Sequence, residues 1–380
     1  MVCCFSFIGD IFLRVAFFSD TYLPNIDGVV SSIVSFKKEL ELEDNFVGVF
    51  APGARTLKTS DVFLYRSFPF PPYPQYRIAL GFDPLVDFGR VGFDVVHCHG
   101  VASMGFNAVL SSRIFRKPSV ATFHTMLPLA TSYLSENSVV QGFFTDFSWK
   151  AIKLFYNSFL ITLAPSLVIK KSLEEHGVER VEVLSNGVDL NIFRPARSSL
   201  RRRLGLKGKV VMFSGRMTKE KNVDVLIKAI PIISRNLDAS FLFVGGGPEL
   251  EALKAKAKGL KNVFFTGSVP HDRIVDYINA CDVSVSASTF ETFGLSLLES
   301  MACGKPVIGA DSLAIPEFVS GKNGGLFDPF DVEGLAEGVI NVLSDEKKYL
   351  LKSKGALKTA ETFSIKKEAA RLESVYERIV

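Results

Sequence analysis

Short apolar runs alternate with amphipathic stretches along the whole chain. In the first half, β-rich runs fall at Arg14–Ser19, Phe46–Phe50, Asp94–His97, Ser119–Thr122, Leu160–Ala164 and Val181–Leu184. Between them, apolar residues recur at helical spacing over Val29–Glu41, Met104–Phe115 and Leu167–Glu175. The second half repeats the plan. Its strands are expected at Val210–Ser214, Phe241–Val244, Val263–Thr266, Val283–Ser286, Pro306–Gly309 and Gly325–Phe327. Its helices are expected at Val223–Ser234, Glu249–Lys258, Arg273–Ala280 and Val332–Leu343. Strands that are apolar throughout and separated by helices predict parallel sheets covered on both faces. The fold class is therefore α/β, with two Rossmann-like domains in tandem. Ligands of such sheets bind beyond the carboxyl ends of the strands.

The periodicity breaks over SNGVDLNIFRPARSSLRRR, Ser185 to Arg203. Gly187, Pro195 and a polar run interrupt both patterns there. This divides the chain into a first domain over 1–195 and a second over 196–364, followed by a terminal helix over Ile365–Ile379.

Composition changes this picture little. A chain of 380 residues is too long for one core and suits two domains. With 47% hydrophobic and 22% charged residues it is an ordinary globular composition. A net charge of +4 is too small to indicate nucleic acid. It is unevenly placed, at −1 over 1–195 and +5 over 196–380, which suits an anionic ligand on the second half. Five cysteines with no Cys-x2-Cys pair read as reduced thiols in an intracellular, cytoplasmic protein. The start, MVCCFSFIGDIFL, is too short and too interrupted to span a bilayer. It reads as a leader strand, a weak membrane contact or an upstream start.

The densest chemistry lies in FETFGLSLLESMACGKPVIGAD, Phe290 to Asp311. Glu291 precedes a loop, Thr292-Phe293-Gly294-Leu295-Ser296, that turns into a helix, and Glu299 follows inside it. The first amides of a helix have no internal acceptor and can hold an anion. With the helix starting near Phe293, Glu299 stands roughly 9 Å along it. From spacing alone, this is either a site for a nucleotide diphosphate sugar or an amphipathic helix with two solvated glutamates. SGRMTKEKN, Ser214 to Asn222, places Arg216 and Lys221 just after a strand, where a guanidinium and an ammonium suit a diphosphate. VGGGPEL, Val244 to Leu250, lacks the spacing of a dinucleotide fingerprint and reads equally as a structural turn.

The Glu-x7-Glu string, the small residues Ala302 and Gly304 and the Gly-Lys-Pro-Val-Ile run resemble the donor-site signature of retaining glycosyltransferases of the GT-B fold. The likeness is to glycosyltransferase family 4 and extends over nearly all of the chain. It implies two Rossmann-like domains facing across a cleft, and a terminal helix that crosses back to the first. It implies a nucleotide sugar donor, UDP- or GDP-linked, on the second domain, an acceptor on the first, and transfer with retention. In that family Arg216 and Lys221 would stabilise the departing diphosphate in place of a metal, so neither metal nor other cofactor is expected. The departing phosphate itself helps to deprotonate the acceptor there. Glu291 would orient the sugar, Glu299 would bind the ribose, and the backbone at Phe293, Gly294 and Leu295 would hold phosphates. FTGSVPHDRI, Phe265 to Ile274, matches the loop around the nucleobase, with the backbone near Val269 reading its edge.

In the first half, FSDTYLPNIDGVVSSI, Phe18 to Ile33, puts Gly28 where its backbone approaches the donor. The family often has Gly-Gly-Val there, and this chain has Asp27-Gly28-Val29. Asp27 is thus either an acceptor or sugar contact, with Tyr22 beside it, or a helix N-cap. ATFHTMLP, Ala121 to Pro128, places His124 past a strand, which the resemblance directs at the sugar and acceptor. HCHG, His97 to Gly100, looks like half a zinc site, but no suitably spaced further ligands accompany it. The aromatic stretch Phe143–Phe159, with Lys150 and Lys153, is either a packed helix or an interfacial one meeting the inner face of the cell membrane. FPFPPYPQYR at 68–77 is equally ambiguous. The acceptor would be a membrane lipid or glycolipid, or else a soluble sugar or glycan. A nucleotide-sugar epimerase, a glycoside hydrolase and a non-catalytic binder are the competing functions.

Overall fold

The computed structural model describes residues 12–380 apart from 26, 55, 71–72, 80, 82, 125 and 127–137. Two α/β units follow one another. The first holds β1 (Arg14–Phe18), β2 (Phe46–Gly53), β3 (Leu57–Lys58), β4 (Val62–Phe70), β5 (Tyr73–Ala79), β6 (Val95–Cys98), β7 (Ser119–Thr122), β8 (Ile161–Ala164) and β9 (Val181–Val183). They form a nine-stranded sheet in the order β3-β4-β2-β1-β6-β7-β8-β9, with β5 paired to β4. The second holds β10 (Lys209–Ser214), β11 (Ala239–Val244), β12 (Val263–Gly267), β13 (Val283–Ser286), β14 (Val307–Ala310) and β15 (Gly324–Phe327), in the order β12-β11-β10-β13-β14-β15. All pairs are parallel except those of β4 with β3 and β5.

Each sheet buries apolar residues on both faces, because its central strands are largely apolar beyond their exposed first residues, Arg14 in β1 and Lys209 in β10. In β1, Ala16 and Phe18 join one cluster while Val15 and Phe17 join another. In β10, Val211 and Phe213 face one cluster and Val210 and Met212 the opposite one. This follows from the two-residue period of a strand, which leaves no solvent face in a doubly covered sheet.

The terminal helix Ile365–Ile379 lies on the first sheet, not the second. Ile365, Ala369, Leu372, Val375 and Tyr376 are buried with Val15, Phe17 and Leu163. Its polar side chains tie it there: Asn45 Nδ2 donates to Glu373 (2.6 Å), Ser185 N to Glu368 (3.1 Å) and Arg371 to the Val183 carbonyl (2.7 Å).

Several expectations need correction. Residues 57–91 hold β3, β4, β5 and the helix Asp83–Val91, none of which the hydrophobic pattern revealed. The described residues of the proline-rich string 68–77 belong to the antiparallel pair β4–β5 at the sheet margin, where proline is tolerated and periodicity is lost. The helix Glu346–Thr362 was hidden by its polarity, since it buries only Ala356 and Ala360. The helix after Glu291 runs Leu295–Ala302, two residues later than expected, so Glu299 stands about 6 Å along it rather than 9 Å.

Candidate active site

In the second unit, β10 and β13 are neighbours while their chain continues to opposite sides, which makes a switch point at their carboxyl ends. Arg216 and Lys221 leave β10 there, and Glu291 leaves β13. The two loops are joined: Asn222, in the left-handed conformation, donates to the Ala287 carbonyl (3.1 Å) and the Thr289 hydroxyl (3.2 Å). Lys221 Nζ lies 2.6 Å from Glu291 Oε1, so the ammonium and the carboxylate that the sequence assigned to separate tasks form one ion pair. Arg216 is exposed. The triple-glycine turn underlies this loop, with Met217 N donating to the Gly246 carbonyl (2.8 Å) and Glu249 N to that of Met217 (3.0 Å). A Cβ on Gly247 would stand 2.4 Å from the Met217 carbonyl oxygen, so the glycine is needed for this approach.

Gly294 caps the helix Leu295–Ala302 at φ +102, and a Cβ there would meet Phe318 at 2.9 Å. The helix thus begins with free amides beside Glu291. The Phe293 side chain does not face the cleft. It is buried against Phe318 and Phe363, so only its backbone is available to a ligand. Glu299 is not the solvated glutamate of the plain amphipathic reading. It is 5% exposed, and burial pushes its carboxyl up to about 8. His271 Nε2 stands 3.6 Å from its Oε1. Val269 is half-buried at the edge of the same apolar cluster.

In the first unit, the adjacency of β6 and β7 brings three histidines together. His97 bonds Tyr376 of the terminal helix through Nδ1 (2.6 Å) and Thr122 through Nε2 (2.7 Å). His99 Nδ1 lies 3.0 Å from His124 Nε2. His124 keeps a partly exposed face, yet its surroundings push it down to about 4, so it is neutral at pH 7. Burial also drives His97 and His99 well below the ordinary histidine range. His99 was set aside by sequence reasoning as half of a zinc pair; its role as partner of His124 depends on strand adjacency, which spacing does not show. Among the described residues, no group of three or more His, Cys, Asp or Glu side chains is arranged to hold a metal ion.

Asp27 acts as a helix N-cap: its Oδ1 accepts from Val30 N (2.9 Å) at the start of Gly28–Leu42. Its Oδ2 accepts from the Thr21 hydroxyl (3.2 Å). A Cβ on Gly28 would meet nothing within 4 Å, so the space over this helix start is open. Tyr22 is 8% exposed and packs with Ile33 and Phe36, so its ring belongs to the core rather than to an acceptor surface.

The halves meet at this site. Phe290 packs on the first unit's cluster of Phe123, Met126, Ile152 and Tyr156. Thr292 Oγ1 donates to the His124 carbonyl (3.4 Å). Glu291 thereby faces the histidine end of the first sheet, and neither Phe290 nor Thr292 was singled out in the sequence.

Comparison with known proteins agrees with this geometry. The family described as Glycosyltransferase Family 4 matches residues 26–192, and the one described as Glycosyl transferases group 1 matches residues 197–358. The chain is 33% identical over 309 residues to D-inositol 3-phosphate glycosyltransferase of Thermobispora bispora, covering 75% of this chain and 70% of that protein. It is 27% identical over 371 residues to alpha-monoglucosyldiacylglycerol synthase of Streptococcus pneumoniae, covering 92% and 83%. In fold it is similar to HepE of Anabaena, solved with UDP and glucose, at a TM-score of 0.77 with 20% identity and coverage of 96% and 100%. The two joined α/β units, the paired loops at the second switch point and these relationships show that the chain belongs to the group 1, family 4 glycosyltransferases of the GT-B fold.

Proposed function

We propose that this protein transfers a hexose, with retention, from a UDP- or GDP-linked sugar to a hydroxyl of a membrane lipid or glycolipid. The observation that carries the reading is the Lys221–Glu291 pair at the second switch point, with the helix start at Gly294–Leu295 following Glu291, Arg216 on the same loop as Lys221, and Thr292 on the His124 carbonyl. Two cations after β10 supply the positive charge that a departing diphosphate requires, and charge developing at the leaving group is where such contacts act most strongly. The helix amides take phosphate oxygens. Glu291 accepts from sugar hydroxyls while its ion pair keeps Lys221 in place. Glu299 accepts from the ribose once ionised. His124, neutral, bonds a sugar or acceptor hydroxyl without adding charge.

A lipid acceptor is supported by the name of the Streptococcus relative and by an exposed face on the first unit. The helices Ser103–Phe115 and Ser138–Tyr156 lie side by side, since a Cβ on Gly105 would touch Phe155 at 2.8 Å. Phe106, Ile114, Phe147 and Leu154 are exposed on them, with Arg113, Arg116, Lys150 and Lys153 around. The side chain of Phe143 lies outside the described residues. No helix among the described residues is long and apolar enough to cross a membrane, so the contact would be interfacial. The name of the Thermobispora relative favours the second reading, a soluble sugar acceptor; an epimerase of the same fold is the third.

The test is a panel of UDP- and GDP-linked hexoses incubated with lipid extracts and with soluble sugars, with and without EDTA. The expected result is an α-linked glycolipid whose rate survives EDTA. Product only on soluble sugars would select the second reading. Sugar released or inverted at a ring carbon without any acceptor would select the epimerase. Loss of rate in EDTA, restored by magnesium or manganese, would assign the diphosphate charge to a metal instead of Arg216 and Lys221.

A further inference from the structure

The helix Leu167–Glu175 of the first unit has an unusual start. Its N-cap residue is Ser166, of the type that ordinarily accepts from the second or third amide of a helix. Its backbone is in the extended conformation suited to that task, at φ −155 and ψ 164, but the hydroxyl makes no cap bond. Ser166 is 2% exposed, and its buried oxygen has no hydrogen-bond partner among the described residues. One of the amides it would serve, Val168 N, is taken together with Leu167 N by a residue 150 positions from Leu167. Glu317, in the second unit, accepts from Leu167 N through Oε2 (2.9 Å) and from Val168 N through Oε1 (2.7 Å).

Glu317 is mechanically tied to the reacting centre. It sits in the short helical turn Ile315–Phe318. Ala314 N, just before that turn, donates to the Glu291 carbonyl (3.3 Å). Phe318, just after Glu317, packs its ring at a tilt on Phe293 (centroids 5.7 Å apart), whose neighbour Gly294 leaves room for it. Ser312 Oγ reaches the Thr289 carbonyl (3.3 Å). A force that holds Glu317 on the first unit therefore holds the segment 289–294 there too, with Thr292 on the His124 carbonyl.

We propose that Glu317 is a positioning residue that clasps the two halves of the site closed by capping, in trans, the helix Leu167–Glu175, and that Ser166 is the alternative cap of the open state. The two caps compete for one amide. With the halves together, the carboxylate holds Leu167 N and Val168 N, and Ser166 is idle. With the halves apart, the Ser166 hydroxyl rotates onto the vacated Val168 N, so the helix start is not left bare. Opening then exchanges one cap for another rather than losing one. This gives a transferase that must admit and release substrates two states of similar free energy, set by residues outside the donor and acceptor contacts. A charged acceptor on a helix start outweighs a hydroxyl, which favours the closed state.

The catalytic consequence rests on the glycosyltransfer reading, whereas the clasp does not, so the two are separable. Small-angle scattering of the full chain reads the separation of the halves without substrate. UDP and GDP titrations read the nucleotide site of the second unit alone. UDP-glucose and GDP-mannose turnover reads the assembled centre. The expected result is that Glu317→Ala increases the radius of gyration, leaves nucleoside diphosphate affinity within twofold, and lowers kcat/KM about tenfold, the scale of one lost cap. Glu317→Gln keeps one acceptor oxygen and should fall between. Ser166→Ala should move scattering and KM in the opposite direction, towards closure, which a merely structural serine would not do. Unchanged scattering in Glu317→Ala, or a shift of the same sign in Ser166→Ala, would overturn the clasp even with turnover intact. Absence of turnover by wild type with every donor, together with the opposite scattering shifts, would overturn the transferase reading and leave the clasp standing.

Discussion

Lys221 Nζ and Glu291 Oε1 are 2.6 Å apart, although 70 residues separate them in the chain. Both side chains are largely covered, at 19% and 16% exposure, so the pair is shielded from water and holds its geometry better than a surface ion pair would. Removing one partner leaves the other charge uncompensated.

Lys221→Ala is expected to lower kcat by about 100-fold or more, the usual scale for one lost transition-state charge contact. Glu291→Gln should lower turnover more than donor affinity. Because the two groups touch, the double variant should lose less than the sum of the single losses. A steady-state double-mutant cycle reads this; strict additivity would mean that the pair does not act as a unit.

Arg216→Ala should lower turnover comparably while leaving the thermal unfolding midpoint unchanged. The guanidinium is exposed, so little packing is lost with it. Near-normal turnover would remove Arg216 from the diphosphate role.

Donor binding should strengthen as pH rises from 6 towards 8. Burial holds the Glu299 carboxyl at about 8, so at pH 7 it is mostly protonated, while a ribose diol needs an ionised acceptor. The folded-state value lies above the unfolded one, near 4.5. The contribution to stability is therefore fully present below about 4.5 and is lost as pH rises towards 8. Glu299→Gln should weaken nucleotide binding, flatten its pH dependence and raise the unfolding midpoint above pH 8. Calorimetric titration with UDP and GDP, and melting curves across pH, measure both; a pH-independent affinity in wild type would contradict the ionisation step.

His124→Asn should lower turnover, yet wild-type kcat should show no histidine-type inflection near pH 6.5. His124 is held down at about 4, and His97 and His99 are driven low with it. For groups depressed in this way the unfolded chain binds the extra protons, so stability falls as pH drops below about 6.5. Melting curves from pH 7.5 to 5 should show this decline, and His99→Gln should reduce its slope.

Co-sedimentation with vesicles containing anionic lipid should retain the wild type and lose a Phe147→Ser/Leu154→Ser variant of verified fold. Both side chains are exposed, so their loss costs the core little. Each nearby lysine or arginine contributes about 1 kcal/mol at an anionic surface, so binding should be reversible and weaken with salt. Wild-type protein remaining in the supernatant would favour a soluble acceptor.

From the residues alone, the alternation of β13, the Glu291–Gly294 loop and its helix was legible, because apolar strands and helical periods are local properties. So was the family likeness, because Glu291, Glu299, Arg216 and Lys221 stand in recognisable strings. The pattern failed at β4 and β5, where prolines at a sheet margin, Pro69 and Pro74 among them, erase periodicity, and at Glu346–Thr362, where two buried alanines leave too weak a stripe. It could not reveal the Lys221–Glu291 pair, which depends on β10 lying beside β13. Nor could it show His99 meeting His124, which depends on β6 lying beside β7. It placed Glu299 on a helix as a ribose contact or a solvated glutamate, and tertiary burial makes it a carboxyl that is mostly neutral at pH 7. Local chemistry is written in consecutive residues. Strand order, burial and the contact of Glu317 with a helix start 150 residues away arise only when distant segments pack, and they decide which of those chemistries face one another.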